Sequence, residues 1–126
     1  ALLHVSPPVA WLSSATSALL PALSCAALPP QTLANMMWAL ATLRVDPGRP
    51  FVDAVLACAE ARVRGFSGGT ALASLLWALA SLGHAPTPAW MEHFLWQVQR
   101  RLPVCSPQNL SMIAWSLATL RYRPHP

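Results

Sequence analysis

The sequence contains no lysine and few acidic residues. Its eight cationic residues are all arginine, against four aspartate or glutamate residues, and only 10% of the chain is charged. The formal net charge of +4 permits contact with phosphate or with an acidic protein surface. With 126 residues and a hydrophobic content of 55%, the chain is the size of one ordinary domain and too apolar to be disordered.

A long hydrophobic run is also missing. The longest apolar stretches, residues 33–43 and 71–82, hold about a dozen residues, whereas a membrane-spanning helix needs roughly twenty. The first residues lack the basic region and the long apolar core of a signal peptide, and an internal fragment would show no transit peptide. We therefore expect no membrane-spanning segment.

Cysteine is scarce, with Cys25, Cys58 and Cys105 at wide, unpaired spacing. An odd number without paired spacing argues against a disulfide framework and for a reducing or neutral compartment. No Cys-x-x-Cys motif and no pair of histidines four residues apart is present, so we expect no metal site. The four scattered acidic residues are too few for a two-metal nuclease centre.

The sequence contains a match to one catalytic motif, in a context that does not suit it. Residues 65–69 read GFSGG and match G-x-S-x-G, but that nucleophile motif requires a strand before the serine, and a helical pattern precedes it in this sequence. No phosphate-binding loop or dinucleotide fingerprint is present. We expect this chain to be neither an enzyme nor a cofactor-binding protein; an enzyme elsewhere in a longer chain stays compatible with the sequence.

What the sequence does contain is a repeat with a period of 38 to 39 residues. MMWALATL at 36–43 returns as LLWALASL at 75–82 and as IAWSLATL at 113–120. Apolar residues recur at helical spacing around each octapeptide, which predicts a helix B in each unit. A looser helical segment precedes each one after a proline-rich turn, which predicts a helix A. These segments begin at Ala10, Pro50 and Ala89.

A two-helix repeat of this length predicts an all-α fold, a right-handed α-solenoid whose stacked hairpins bury their apolar stripes together. Residues 1–6 are assigned to the end of a preceding repeat, 7–46 to repeat 1, 47–85 to repeat 2 and 86–126 to repeat 3. Both ends fall at repeat edges without polar capping helices, which predicts a fragment of a longer array.

Positions shared by the B helices are expected to form the repeat core, with each tryptophan as a large buried anchor. The predicted core residues are Leu33, Trp38, Leu40, Leu72, Trp77, Leu79, Leu110, Trp115 and Leu117.

The unit resembles a known helical repeat. The signposts of the tetratricopeptide and ankyrin repeats are missing. However, PPVAWL at 7–12, SPQNL at 106–110 and the three octapeptides are similar to the octotricopeptide repeat of organellar proteins in green algae. The resemblance covers essentially the whole chain as three units. The middle unit departs from it, with Gly68-Gly69-Thr70 in place of Ser-Pro-Gln and Phe51 in place of tryptophan.

This resemblance implies an RNA-binding function in an organelle, with the mitochondrion favoured over the chloroplast. Our first expectation is an accessory structural subunit that holds ribosomal RNA in an organellar ribosome. The alternatives are a transcript-specific factor for mRNA stability or translation, and a protein-interaction scaffold without RNA contact. We expect RNA and proteins of a ribonucleoprotein particle as partners, with no membrane and no small-molecule substrate. Three units at one nucleotide each read about three nucleotides, too few to specify a transcript unless the array continues.

The resemblance also implies that exposed positions of helix A line a concave face and contact bases. The candidate base contacts are Ser13, Asp53, Glu92, His93, Trp96 and Gln97. Serine, aspartate and glutamate in a first helical turn are equally well explained by the helix dipole and by capping. In a scaffold, the same surface would carry an apolar patch, for which Trp96, Phe94 and Met91 are candidates.

Phosphate contacts are expected from arginines near the ends of the helices. The candidates are Arg44, Arg62, Arg64, Arg100, Arg101, Arg121 and Arg123. Cations at helix C-termini also complement the helix dipole, so part of this set has a structural explanation. A row of arginines at one repeat position would form a basic edge.

Overall fold

Helices make up the regular structure of this protein wherever it is described. The computed structural model describes residues 29–66 and 68–122, and these ranges contain five α-helices, two short 3-10 turns and no strand. The helices are α1 (Pro30–Thr42), α2 (Arg49–Ala61), α3 (Gly69–Leu82), α4 (Pro88–Arg101) and α5 (Pro107–Thr119), and the 3-10 turns are Val63–Gly65 and Leu102–Val104. The predicted all-α repeat fold is confirmed. Within these ranges, no helix is long and apolar enough to cross a membrane.

Proline and hydroxyl residues determine where the helices begin. α4 starts with Pro88 after Thr87, and α5 starts with Pro107 after Ser106. Proline suits this position because a residue in the first turn needs no acceptor for its N–H. Each hydroxyl oxygen accepts a hydrogen bond from the backbone N–H three residues later, at 3.3 Å in α4 and 3.1 Å in α5. These caps satisfy donors that the first turn leaves open.

The helices form two layers. The predicted B helices α1, α3 and α5 pack side by side along their length, whereas the predicted A helices α2 and α4 contact each other over a short stretch. Alanines on α3 allow the close approach of its neighbours, because they place no long side chain between the backbones; these are Ala71, Ala73, Ala78 and Ala80, all buried. We call α1, α3 and α5 the B layer, and α2 and α4 the A layer.

The repeat core is buried only in part. Leu33, Leu72 and Leu79 are fully buried, and Leu40, Trp77 and Leu117 are partly buried against the core. In contrast, Trp38 is 46% exposed, Leu110 40% and Trp115 49%. The prediction that these three residues are core is therefore wrong. A helix that is apolar on most sides does not reveal by its period which side meets a neighbour, and the tryptophan side is exposed. Leu110 lies off that side, on α5, which packs in the B layer against α3.

A different tryptophan anchors the A layer. Trp90 in α4 is 5% exposed, and its indole N–H donates to the backbone carbonyl of Leu56 in α2 at 2.8 Å. Its ring stacks on Phe94 with a centroid distance of 4.8 Å, and Phe66 meets Phe94 edge-on at 6.3 Å. Buried aromatic pairs of this kind contribute packing beyond their buried area, so this cluster fixes how successive A helices meet.

Candidate nucleic-acid interface

An exposed aromatic and cationic cluster lies near the C-terminal ends of the A-layer helices α2 and α4. Trp96 in α4 is 44% exposed. The guanidinium carbon of Arg64 lies 5.5 Å from the centroid of the Trp96 ring, and that of Arg100 lies 4.8 Å from it. Cation–π attraction orients both guanidinium groups, whose planar N–H donors suit phosphate. We call Arg64, Trp96 and Arg100 the arginine–tryptophan cluster.

A shallow groove of about 480 Å³ adjoins this cluster. It is lined by Glu60, Val63, Arg64, His93 and Trp96. The Nδ1 atom of His93 lies 3.2 Å from a carboxylate oxygen of Glu60, which orients the imidazole across the junction of α2 and α4. The groove therefore presents donors and an acceptor beside an aromatic ring, a combination that suits the polar edges and flat faces of bases.

Two other predicted base contacts are exposed on the same layer. Asp53 accepts a hydrogen bond from Nε of Arg49 at 2.8 Å, in a salt bridge one helical turn apart. Glu92 is exposed on the first turn of α4. Ser13 lies outside the described residues. The structure thus brings His93 and Trp96 into one groove, while Asp53 is engaged by its own helix.

Gln97 and the predicted apolar patch are buried. Gln97 has no exposed surface, and its amide Nε2–H donates to the backbone carbonyl of Phe66 at 3.0 Å. Its predicted contact with a base is corrected, because one residue along a helix turns the side chain by about 100°, from the exposed side of Trp96 to the core. Phe94 and Met91 are 1% and 2% exposed, so they form no surface patch with Trp96.

The predicted phosphate-binding arginines fall at two separate edges. Arg62, Arg64 and Arg100 are exposed and Arg101 is partly buried at the C-terminal end of the A layer. Arg44 and Arg121 are exposed after the B helices, at the opposite edge, because paired helices A and B run antiparallel. Arg123 lies outside the described residues. The arginines thus form two basic edges instead of one.

The arginines that follow the B helices have left-handed backbones. Arg44 has φ 57° and Arg121 has φ 55°. Each closes its helix with the same pair of backbone hydrogen bonds; for Arg44 these are its N–H to the carbonyl of Ala41 at 3.0 Å and Val45 N–H to the carbonyl of Leu40 at 2.9 Å. This is the Schellman motif, which favours glycine at the left-handed residue. Arginine is therefore held in a conformation that L-residues rarely adopt.

A free face of the B layer was missed by the sequence reasoning. α3 is buried on all sides except one stripe, with residues at i, i+4, i+7 and i+11: Thr70, Ser74, Trp77 and Ser81. The equivalent stripes, also not buried, are Gln31, Asn35, Trp38 and Thr42 in α1, and Gln108, Met112, Trp115 and Thr119 in α5. These twelve residues include no charge. The signal was present in the sequence of α3, where every residue between these four positions is leucine or alanine. We call Trp38, Trp77 and Trp115 the tryptophan row.

The chain matches the family described as Tbc2 translation factor, N-terminal domain, over residues 18–126. It belongs to that family. No curated protein and no solved structure matches it. The family description supports an RNA-related role in translation. The octotricopeptide repeat is not part of that description and rests on the sequence resemblance.

Proposed function

We propose that this chain is an RNA-binding module of a factor that acts in the translation of an organellar transcript. The family description supports the translation role, and the exposed arginine–tryptophan cluster is the observation that carries RNA binding. The organelle, with the mitochondrion as the predicted compartment, rests on the octotricopeptide resemblance. A translation-factor family favours the transcript-specific alternative over the ribosomal subunit that was our first expectation.

Charge and shape agree at the cluster. The guanidinium carbons of Arg64 and Arg100 both lie within 5.5 Å of the centroid of the same exposed ring, so two cations border one aromatic side chain. Phosphate groups of an RNA bound beside this ring would accept hydrogen bonds from these guanidinium groups. Glu60 and His93 in the adjoining groove supply polar groups for the sugar or base. An anionic, partly aromatic polymer such as RNA suits this combination.

The experiment is a titration of single-stranded RNA with the full chain at several salt concentrations. Each phosphate contact contributes about 0.7 to the slope of log affinity against log salt for a single strand. We expect the double variant Arg64→Gln/Arg100→Gln to bind more weakly and to show a slope shallower by about 0.7 per lost contact. Arg49→Gln is the matched control, because Arg49 is already paired with Asp53.

Two results would contradict the proposal. If the native chain does not retain RNA even at low salt, the RNA-binding function is wrong. If the native chain binds RNA and the double variant keeps both the affinity and the slope, the arginine–tryptophan cluster does not contact phosphate. Circular dichroism of each variant establishes that a loss of binding does not come from unfolding.

A further inference from the structure

We propose that the outward face of the B layer is a second RNA-contacting surface, on which the tryptophan row stacks unpaired bases of single-stranded RNA. This inference rests on the RNA-binding function proposed above, but it names a separate surface. The tryptophan row lies in the B layer, whereas the arginine–tryptophan cluster lies in the A layer, so the two surfaces engage different stretches of an RNA.

The first argument is the exposure of the tryptophan row. Trp38 and Trp115 are each close to half exposed, and Trp77, between them, lies on the one stripe of α3 that is not buried. A solvent-facing helix stripe ordinarily carries charged residues. A stripe that carries none, and repeats an aromatic ring in three adjacent helices, indicates a surface that meets a ligand.

The second argument is a cavity between neighbouring tryptophans of the row. A cavity of about 640 Å³ lies beside Trp77 and Trp115, with Thr42, Ser81 and Arg44 also on its wall. Its volume falls in the range of small-ligand sites. Bases stack on aromatic rings without regard to sequence, because every base has a flat π face. The hydroxyl groups beside the rings can donate to or accept from a base edge or a ribose.

The third argument is charge. Arg44 stands at the edge of this cavity in its strained left-handed conformation. The acidic residue on the cavity wall, Asp46, is engaged: its Oδ1 accepts from the backbone N–H of Gly48 at 2.9 Å and from Nε2–H of His84 at 2.7 Å. The cavity wall thus carries one cation, Arg44, that can meet a phosphate, while Oδ1 of the ionised Asp46 already accepts two hydrogen bonds within the protein.

The polar residues on the stripes that carry the tryptophan row favour RNA over a partner helix as the ligand of this surface. A docked helix requires a continuous apolar groove for its anchors, whereas in α1 and α3 hydroxyl and amide residues separate the tryptophan row from both helix ends. These include Asn35 and Thr42 on α1 and Ser74 and Ser81 on α3. Duplex RNA keeps its base faces inside the helix, so stacking on exposed rings requires unpaired bases.

The test combines two variants with mapped crosslinks on the full chain. A single-stranded RNA containing 4-thiouridine is crosslinked to the protein, and the modified peptides are identified by mass spectrometry. Its affinity is measured by fluorescence anisotropy for Trp38→Leu/Trp115→Leu, which keeps an apolar side chain but removes the aromatic face. Leu110→Ser is the matched control, since Leu110 is exposed on the same helix as Trp115 but is not one of the four residues of the stripe that carries Trp115.

We expect crosslinks on α1, α3 and α5 and a loss of affinity of at least about tenfold in the double variant, with little change in the control. If the double variant binds RNA as the native chain does and the crosslinks fall at Trp96, the inference is overturned while the proposed function stands. If the native chain binds no RNA, both are overturned. If the double variant keeps RNA but loses a stoichiometric protein partner, the B layer docks protein and the inference is overturned.

Discussion

Arg44 and Gly83 occupy equivalent positions in successive repeats, and both have left-handed backbones, with φ of 57° and 79°. Each residue closes the C-terminus of its B helix with equivalent backbone hydrogen bonds. Glycine reaches this conformation without a steric penalty, whereas an L-residue with a Cβ atom is destabilised by about 1–2 kcal/mol. Strain of this kind commonly marks a functional site, and it recurs in the third repeat at Arg121, with φ 55°.

Replacement of Arg44 by glycine is therefore expected to stabilise the fold and to weaken RNA binding. The relieved strain, reduced by the extra chain entropy of glycine, amounts to about 0.5–1 kcal/mol. Thermal unfolding followed by circular dichroism should show a Tm rise of about 2–4 °C. Gly83→Ala tests the same position in the opposite direction and should lower the Tm. A lower Tm for Arg44→Gly would show that arginine is not strained at this position.

At Gly69, the first residue of α3, a side chain larger than that of glycine would clash with its neighbours. A Cβ atom on Gly69 would lie 2.6 Å from Sγ of Cys105 and 3.1 Å from its Cα, well inside contact distance. Gly69→Ala should therefore reduce the free energy of unfolding by about 1–3 kcal/mol, measured by urea titration. Gly68→Ala is the control, because nothing lies within 4 Å of a Cβ atom at that position. Equal losses in the two variants would contradict the contact with Cys105.

The same contact explains why the middle repeat departs from the pattern of the other two. Residues 68–70 read Gly-Gly-Thr where the third repeat has Ser-Pro-Gln, and the sequence alone gives no reason for the change. In the structure, Gly69 is buried against the segment that precedes α5. A proline ring at that position would meet Cys105. The identity of a helix-starting residue is thus determined by a neighbour one repeat away.

More of the fold than of the candidate site could be predicted from the sequence. The starts of α1, α3 and α5 at Pro30, Gly69 and Pro107 agree with the alignment, because the repeat register and the turn residues are local signals. Which side of a helix faces the core is not determined by such local signals. Trp96 and Gln97 are adjacent, yet one is exposed and the other is buried, since the packing of α4 on α2 decides which side faces the core.

The tryptophans of the A and B layers should respond differently to truncation. Trp90 is buried and donates a hydrogen bond to Leu56, so Trp90→Ala should destabilise the fold by about 3–5 kcal/mol. Trp38 is 46% exposed, so Trp38→Ala should lower the free energy of unfolding by a clearly smaller amount, about 1–2 kcal/mol. Chemical unfolding of both variants measures the difference. Similar losses at the two positions would mean that Trp38 is a core anchor, as the repeat pattern first indicated.

The hydrogen bonds to Asp46 make part of the stability dependent on pH. His84 in the next repeat donates to Oδ1 of Asp46 at 2.7 Å, and the N–H of Gly48 donates to the same oxygen at 2.9 Å. The histidine hydrogen bond first, and then the backbone one, hold the pKa of Asp46 below its ordinary value of 3.8. Because the folded pKa lies below the unfolded one, the stabilisation is present above the unfolded pKa and is lost as the pH falls through the folded pKa.

Asp46→Asn should consequently unfold more easily than the native chain at neutral pH, and the difference should disappear in acid. The side chain of Asp46 is 55% exposed, so solvent screening limits the effect to under about 1 kcal/mol. Urea titrations between about pH 2 and pH 7 should show a constant difference down to about pH 5 and a decline below it. In a His84→Ala background, the same substitution should have a smaller effect, because the larger cause of the pKa shift is gone. A difference that persists undiminished in acid would show that the carboxylate charge of Asp46 does not stabilise the junction between the first two repeats.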